Sequence, residues 1–197
     1  MAVYLKQLFY FWKPSFMRIV TRPDFDGIVC AVLLREVFSA DTDIYWTEPG
    51  DIQSKSACIQ KGDILANLPF SSNCDLWFDH HVSNRPAVPF KGAFDIAPSA
   101  ARVIYTHYIQ KGLLDHRFDE LLDQTDIIDA ARLTRDQVRF PQNYPYILLS
   151  MTIQNKNYAD TAYWNWLVEQ LRVQSIEKIL DDRDVQRRCA TVIQDNA

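Results

Sequence analysis

An acid and two adjacent histidines follow an apolar run in the stretch WFDHHVSN, residues 77–84. They are Asp79, His80 and His81, and the whole chain has only four histidines. Imidazoles and carboxylates act as general acids and bases, and they also bind metal ions. The stretch is therefore a candidate for catalysis, for metal binding or for both. Taken alone, a pair of histidines is more typical of a surface loop.

A second acidic stretch, RPDFDG, follows the apolar run MRIVT at residues 17–21. Asp24 and Asp26 are two residues apart, and on an extended turn both side chains would project to the same side. Gly27 would then let the backbone turn sharply into a helix. Without the rest of the chain this pattern is typical of a simple turn, because Asp and Gly are turn residues.

The apolar runs around these stretches predict a parallel sheet. Residues 17–21 are short, apolar and β-branched, as in a buried strand, and a helical segment follows at 28–38. Further strand candidates lie at 43–46, 63–67 and 75–79. Strands with little polar alternation are typical of a sheet covered on both faces. We therefore expect an α/β fold with a doubly wound, mostly parallel sheet of about five strands.

The second half of the chain has helical spacing and predicts a helical C-terminal segment. The helical segments are 99–112, 118–133, 144–154, 160–172 and 175–194. The expected organisation is an N-terminal extension at 1–16, one domain at 17–175 and a linker-like helix at 176–197. That last helix has an apolar stripe at Ile176, Ile179, Leu180 and Val192. We expect the stripe to pack back on the domain or on another chain, which makes a homodimer one hypothesis.

Polar residues stand where several predicted strands end. Ligands of open parallel sheets bind beyond the carboxyl ends of the strands, so these side chains should share one edge. They are Asp24, Asp26, Asn67, Asp79, His80 and His81. A cluster of carboxylates and imidazoles without cysteine favours Mn²⁺ or Mg²⁺ over a metal bound by thiolates. One or two such ions would activate water and hold a phosphoryl group.

Composition limits the class of protein. The 197 residues carry a formal net charge of −4, which argues against long nucleic acid as a ligand. The four cysteines are scattered without a CxxC pair, as in a reducing cytoplasm. The apolar stretch YLKQLFYFW near the N-terminus is too short to cross a membrane. We expect a cytoplasmic protein that does not enter the membrane.

The combination of VTRPDFDGIVCAVLL with LWFDHHVSN resembles the DHH phosphoesterase superfamily, which is named for its Asp-His-His run. Within that superfamily, DILANLPF and DIIDAARLT are similar to the exopolyphosphatase-related branch. The resemblance covers about residues 17–195. The combination is specific, whereas no single piece is.

The resemblance implies roles for the acidic and histidine stretches. Asp24 and Asp26 match the paired metal carboxylates of the superfamily. His80 matches its metal-binding histidine, and His81 matches the histidine that lines the site. Asp79 would be a metal ligand or would orient the histidines.

Further along the chain, the resemblance implies that Asp129 completes the metal site, with Asp126 as the next candidate. On spacing alone, acids three residues apart on a helix are typical of a solvated face. Two positions depart from the superfamily. Val20 stands where many members have a histidine, and Asn67 stands where they commonly have a bridging aspartate. Asp63 is a nearby carboxylate, but it lies at the start of its strand.

Related phosphoesterases carry a second, glycine-rich substrate-binding domain of the DHHA1 type after a helical linker. The present chain has five glycines and no glycine-rich run. The resemblance therefore predicts a catalytic domain without its substrate-binding partner, which would make turnover slow and unselective.

The leading functional hypothesis is a phosphoesterase that uses Mn²⁺, or Mg²⁺, to activate water. Its substrate would be a phosphate-rich small molecule or short polymer, such as polyphosphate, a short oligonucleotide or a nucleotide. His81 would assist proton transfer and Arg22 would contact phosphate, unless Arg22 is paired with Asp24 or Asp26.

A second hypothesis is a non-catalytic metal-binding domain that acts as an interaction or sensor module, which the uncharged Val20 and Asn67 favour. A third hypothesis, a nucleotide-binding regulatory domain, lacks a glycine-rich phosphate loop.

Overall fold

The computed structural model describes residues 17–154 and 158–195, so the expected extension at 1–16 lies outside the described residues. Five parallel strands form one sheet in the order β2-β1-β3-β4-β5. The strands are β1 Arg18–Thr21, β2 Asp43–Trp46, β3 Asp63–Ala66, β4 Leu76–Asp79 and β5 Gly92–Phe94. The α/β prediction is confirmed. Strand β5 was not among the predicted segments, because three residues that include a glycine form too short a run to detect.

Nine helices surround and follow the sheet within the described ranges. They are α1 Phe25–Val37, α2 Pro49–Gln53, α3 Ala100–Ile109, α4 Asp119–Asp129, α5 Arg135–Arg139, α6 Pro145–Met151, α7 Thr161–Val173, α8 Ile176–Leu180 and α9 Arg183–Asp195. The helical character of the second half is confirmed. None of the described helices is long and apolar enough to cross a membrane.

The helices predicted at 118–133 and 175–194 differ most from the expectation, each for a local reason. The segment predicted at 118–133 stops at Asp129, because Ala131 adopts φ 52°, outside the helical region. The long helix predicted at 175–194 is divided into α8 and α9. The side chain of Asp182 accepts hydrogen bonds from the backbone N–H groups of Asp184 and Val185, at 2.8 and 3.3 Å, and so starts a new helix.

Helix α1 lies at the centre of the core. Its residues from Phe25 to Leu34 are all buried, and it packs against α3, α4 and α7 as well as β1. The C-terminal stripe joins this core, since Ile176, Ile179 and Val192 are buried and Leu180 is partly buried against it. The stripe therefore packs back on its own domain, and no second chain is needed to cover it.

The strand ends are in register, and this positions the polar residues that follow them. Thr21 of β1 pairs with Ala66 of β3, and Ala66 pairs with Phe78 of β4. The loops after these three strands therefore leave the same edge of the sheet. The crossovers of a parallel sheet make this edge the natural place for a binding site.

Gly27 is required by close packing and not by a sharp turn, which corrects the expectation from the sequence. It lies inside α1, where a Cβ atom would be 1.9 Å from the carbonyl oxygen of Arg22 and 2.9 Å from the side-chain oxygen of Thr21. Helix α1 can thus begin directly against the end of β1 only if this residue has no side chain.

We predict that Gly27→Ala lowers the free energy of unfolding by about 3 kcal/mol or more, because the new methyl group meets backbone that cannot move freely. Urea denaturation followed by circular dichroism measures the change. Gly50→Ala is the matched control, since a Cβ at Gly50 in α2 meets no atom within 4 Å. Equal stability of the two variants would contradict the close-packing explanation.

Candidate metal centre

Asp26 is held at the start of two helices. It lies in the first turn of α1, 2 % exposed, and its two carboxylate oxygens accept hydrogen bonds from the backbone N–H groups of Ala100 and Ala101, both at 2.9 Å. These amides belong to the first turn of α3, where the helix dipole favours a negative charge. Helix α3 itself is capped by Ser99, whose hydroxyl accepts from the backbone of Arg102.

Asp24 and Asn67 form a polar pair next to Asp26. Asp24 is the N-cap of α1, so the two acids do not lie on an extended turn as the sequence had indicated. Its Oδ1 accepts from the Gly27 N–H at 2.8 Å and from Asn67 Nδ2 at 3.1 Å. Asn67 has φ 56°, a left-handed conformation that Asn tolerates better than most residues.

The side-chain oxygen of Asn67 is buried and has no hydrogen-bond partner within the described residues. The bond from Nδ2 to Asp24 determines which end of the amide is oxygen, so the unpartnered atom is an acceptor. Leaving such an acceptor buried without a partner costs about 1–3 kcal/mol. A cation at this point would remove that cost.

His80 places one of its ring nitrogens close to a carboxylate. Its Nδ1 lies 2.9 Å from the carbonyl oxygen of Ala97, so this nitrogen carries the proton and donates it. The other nitrogen, Nε2, lies 3.2 Å from Oδ2 of Asp129, yet it makes no hydrogen bond to any described residue. A lone pair facing a carboxylate is stable only with a proton or a cation between them.

Three of the predicted ligands meet at this point. The ligand atoms of Asp26, His80 and Asp129 all lie within 4.8 Å of one another. Burial, followed by the charges of Asp129 and Asp24, holds the pKa of Asp26 well above its usual range, and burial also raises the pKa of Asp129. Burial raises the pKa of Asp24 to about 6, although Arg22 opposes the shift. Burial is the main cause of all three shifts, and repulsion between the neighbouring carboxylates adds to it.

The donor set fits a hard divalent ion. Carboxylates and imidazole nitrogens are ligands suited to Mn²⁺ or Mg²⁺. The site offers two carboxylates and one imidazole nitrogen, and a carbonyl fixes the other nitrogen of that imidazole. The unpartnered oxygen of Asn67 adds a neutral donor beside them. Of the residues expected at the metal, Asp26, His80 and Asp129 converge, whereas Asp24 and Asn67 lie beside them.

Asp79 is placed to orient the two histidines. It is fully buried, and its Oδ1 accepts from the N–H groups of His80 and His81, at 2.8 and 3.2 Å, and from His81 Nδ1 at 2.8 Å. Its Oδ2 accepts from Asn84 Nδ2 at 2.7 Å. Although Asp79 lies near both imidazoles, four hydrogen bonds already occupy its oxygens. This geometry favours the orienting role over direct metal binding.

His81 remains half exposed at the edge of the site. The hydrogen bond that His81 Nδ1 donates to Asp79 raises the pKa of the His81 imidazole and leaves Nε2 as its other ring nitrogen. The two histidine rings lie edge to face, with centroids 4.1 Å apart. His81 can therefore hold a proton next to the nitrogen of His80 that is free to bind a cation.

Arg22 makes ion pairs in this state. Its Nε lies 3.1 Å from a carboxylate oxygen of Glu48 and 3.3 Å from one of Asp24. This is the alternative that the sequence had left open, in which the arginine pairs with an acid of the site. Its side chain is partly exposed, so contact with a ligand stays a prediction.

The remaining candidates are engaged elsewhere. Asp126 accepts hydrogen bonds from Ser99 Oγ at 2.7 Å and from Arg102 Nε at 2.8 Å, and therefore supports α3. Asp63 pairs with Arg18 at the opposite end of the sheet. Val20 is fully buried in β1.

Sequence reasoning missed the groups that hold the ligands in place. The backbone amides of Ala100 and Ala101 and the carbonyl of Ala97 fall outside the acidic and histidine stretches. Asn84 is the last residue of the histidine stretch, but it was not singled out there. The predicted helical segment at 99–112 begins at Ser99, and the start of this helix was the available signal that backbone amides would be exposed there. Backbone groups otherwise carry no sequence signature.

No family model matches this chain, and no curated protein matches it significantly. Among solved structures, it is similar to the pGpG-specific phosphodiesterase PggH from Vibrio cholerae, with 34% sequence identity and a TM-score of 0.75. The match covers 88% of this chain and 58% of the neighbour, so the chain spans little more than half of that protein's length. The likeness supports the DHH superfamily assignment, but it gives no support to the exopolyphosphatase-related branch.

We predict that Asp79→Asn lowers the pKa of His81, because the carboxylate that stabilises the imidazolium is lost. A raised histidine pKa stabilises the folded chain below the unfolded-state pKa of about 6.5 and loses that effect as pH rises through the folded pKa. The variant should lose this contribution. Histidine NMR titration of the metal-free protein measures the pKa, and Asp41→Asn, at an exposed acid, is the control. An unchanged titration in Asp79→Asn would refute the assignment.

We also predict that Mn²⁺ stabilises the wild-type chain, by about 2.7 kcal/mol at a concentration of 100 times Kd. His80→Ala should weaken Mn²⁺ binding at least about 100-fold, since even groups that only orient a ligand change affinity 10- to 100-fold. Isothermal titration calorimetry and thermal unfolding with added Mn²⁺ test both statements. His116→Ala is the control, because that side chain is 84 % exposed and lies outside the site. Equal affinity in the two variants would show that His80 is not a ligand.

Proposed function

We propose that this chain is the DHH-type domain of a divalent-metal-dependent phosphodiesterase acting on a short, nucleotide-like substrate. The observation that carries the proposal is the Nε2 atom of His80, which has no hydrogen-bond partner among the described residues and lies 3.2 Å from Asp129, beside the buried carboxylate of Asp26. The likeness to a phosphodiesterase at 34% identity supports the reaction class.

Asp26, His80 and Asp129 would hold a divalent ion, for which we propose Mn²⁺, with Mg²⁺ as the substitute. Such an ion would activate a water molecule and offset the negative charge of the phosphoryl oxygens. One ion is better supported than two. Asp24 is engaged by Asn67 and Arg22, and the superfamily's additional histidine position is occupied by the buried Val20.

His81 supplies the proton in this proposal. Its raised pKa keeps the imidazole protonated to a higher pH than usual, and Asp79 holds the partly exposed ring by Nδ1. An imidazolium in this position can donate its proton to the oxygen of the departing nucleoside. Asp79 acts as a positioning residue, since it touches the histidines and not the reacting atoms.

Arg22 would exchange one partner for another when substrate binds. In the structure its guanidinium is shared between Glu48 and Asp24. A planar guanidinium also matches two phosphate oxygens, and a phosphate at the metal centre would compete with the two acids for it.

A dinucleotide is the substrate class we favour over polyphosphate. The neighbour's name specifies pGpG, which is a guanosine dinucleotide with a 5′ phosphate, and we carry that substrate type to this chain as a proposal. The formal charge of −4 is compatible with a short anion, whereas long polyanions depend on many basic contacts. A cytoplasmic location, where such nucleotides occur, is compatible with the four free cysteines.

A second candidate function is a metal-binding module without catalysis. Asn67 favours it, because its neutral oxygen is a weaker bridge between two cations than the carboxylate common in the superfamily. In that case the chain would bind Mn²⁺ and would not turn over any phosphoester.

We predict that the purified chain with Mn²⁺ hydrolyses a 5′-phosphorylated diguanosine dinucleotide faster than it hydrolyses polyphosphate. His80→Ala should lower kcat/KM at least about 100-fold because the metal is lost, and His116→Ala should retain the wild-type rate. Chromatographic product analysis provides the measurement, with excess chelator as a second control. Mn²⁺ binding without hydrolysis of either substrate would reject the enzyme proposal in favour of the metal-binding module.

A further inference from the structure

Three arginines just after Asp129 have guanidinium groups without an acidic partner. Most arginines in the described part of the chain are paired, as Arg102 is with Asp126 and Arg188 is with Asp160. The guanidinium groups of the following three form no ion pair or hydrogen bond with any described residue, and all three are exposed: Arg132, Arg135 and Arg139. The guanidinium of Arg139 lies 5.4 Å from the ring centre of the adjacent Phe140. We call this stretch, residues 132–139, the arginine segment.

The arginine segment begins at the metal centre. Helix α4 ends at Asp129, and the chain reverses through Ala131, whose φ is 52°. The N–H of Arg132 then donates to the carbonyl of Ile127 at 2.9 Å, which keeps Arg132 beside the last turn of α4. Three residues span at most about 11 Å even when fully extended, so Arg132 cannot lie far from Asp129.

The segment is locally ordered, which preserves the spacing of its cations. Thr134 and Gln137 form a reciprocal capping box at the start of α5. Asp136 is the one acid in the segment, and it accepts a hydrogen bond from the hydroxyl of Tyr144 at 2.5 Å. The three guanidinium groups therefore remain available to an outside anion.

A second phosphate group near the metal centre would need positively charged side chains that are not already paired with an acid. The site contains four carboxyl groups, on Asp24, Asp26, Asp79 and Asp129, and any of them that is ionised disfavours a second phosphate group nearby. The other arginine at the site, Arg22, is already shared between two acids. The unpaired arginines nearest to Asp129 along the chain are those of the arginine segment.

We propose that the arginine segment binds the terminal 5′ phosphate of the substrate, the phosphate that is not cleaved. This inference rests on the proposed function, because it assumes that the bridging phosphodiester lies at Asp26, His80 and Asp129. A terminal phosphate carries about −1.5 to −2 charge at neutral pH, compared with −1 for a phosphodiester. Guanidinium groups bind such a group through paired, charge-assisted hydrogen bonds. The segment would thus select phosphorylated over unphosphorylated dinucleotides.

The test compares two diguanosine dinucleotides that differ only in the 5′ phosphate. The triple variant Arg132→Ala, Arg135→Ala, Arg139→Ala is measured beside Arg183→Ala, which removes another exposed, unpaired arginine at the start of α9. The first readout is the ratio of kcat/KM for the phosphorylated and unphosphorylated substrates with Mn²⁺. The second is the ratio of their Kd values by calorimetry with Ca²⁺ in place of Mn²⁺. Thermal unfolding checks that the triple variant is folded.

We expect the triple variant to lower both ratios about 10- to 100-fold, as for the loss of charge-assisted hydrogen bonds, while Arg183→Ala keeps the wild-type ratios. A wild-type chain that does not prefer the phosphorylated dinucleotide, or a triple variant that keeps the preference, would overturn the inference. If binding shows the loss but no dinucleotide is hydrolysed, the arginine segment is supported and the proposed catalytic function fails. If the dinucleotides are hydrolysed but the triple variant keeps the wild-type ratios, the proposed catalytic function is supported and the inference about the arginine segment fails.

Discussion

The buried carboxylate of Asp26 is the feature on which the rest of the site depends. It lies in the first turn of α1 and accepts two backbone hydrogen bonds from the start of α3, so a single charged group joins two helices of the core. The same carboxylate is brought within ligand distance of His80 and Asp129. Burying a charge is costly unless it is paired or bound to a cation, and helix amides provide only part of that compensation.

Several buried carboxyl groups therefore lie close together in this site, which is electrostatically unfavourable, and hydrogen bonds around them fix their positions. Burial and mutual repulsion raise the pKa values of Asp24, Asp26 and Asp129, while a nitrogen of His80 and the oxygen of Asn67 have no hydrogen-bond partner in the described part of the chain. Around them, groups with fully satisfied hydrogen bonds hold the geometry, above all Asp79. A protein that only needed a stable core would replace this arrangement with apolar side chains. A divalent ion bound by Asp26, His80 and Asp129 would offset the negative charge of these carboxylates.

The sequence predicted the fold well where the signal is local. Strands β1 to β4 and the helical second half follow from runs of apolar residues, whereas β5 has only three residues and gives no such signal. Gly27 was identified correctly but for the wrong reason. Its lack of a side chain serves the contact with the Arg22 carbonyl, and a contact between separate elements cannot be recognised from the order of residues alone.

The sequence by itself determined which chemistry is available: carboxylates and imidazoles at the ends of parallel strands, with no thiolate among them. Side-chain types and their periodicity are properties of the linear chain. Only the tertiary structure decided which role each of these side chains has. Asp26 and Asp129 face His80, Asp79 faces inward to hold the histidines, Asp126 supports α3, and Arg22 pairs with Glu48. The physical reason is that each carboxylate accepts hydrogen bonds from the nearest donors. Packing between segments that are distant in the chain brings those donors close.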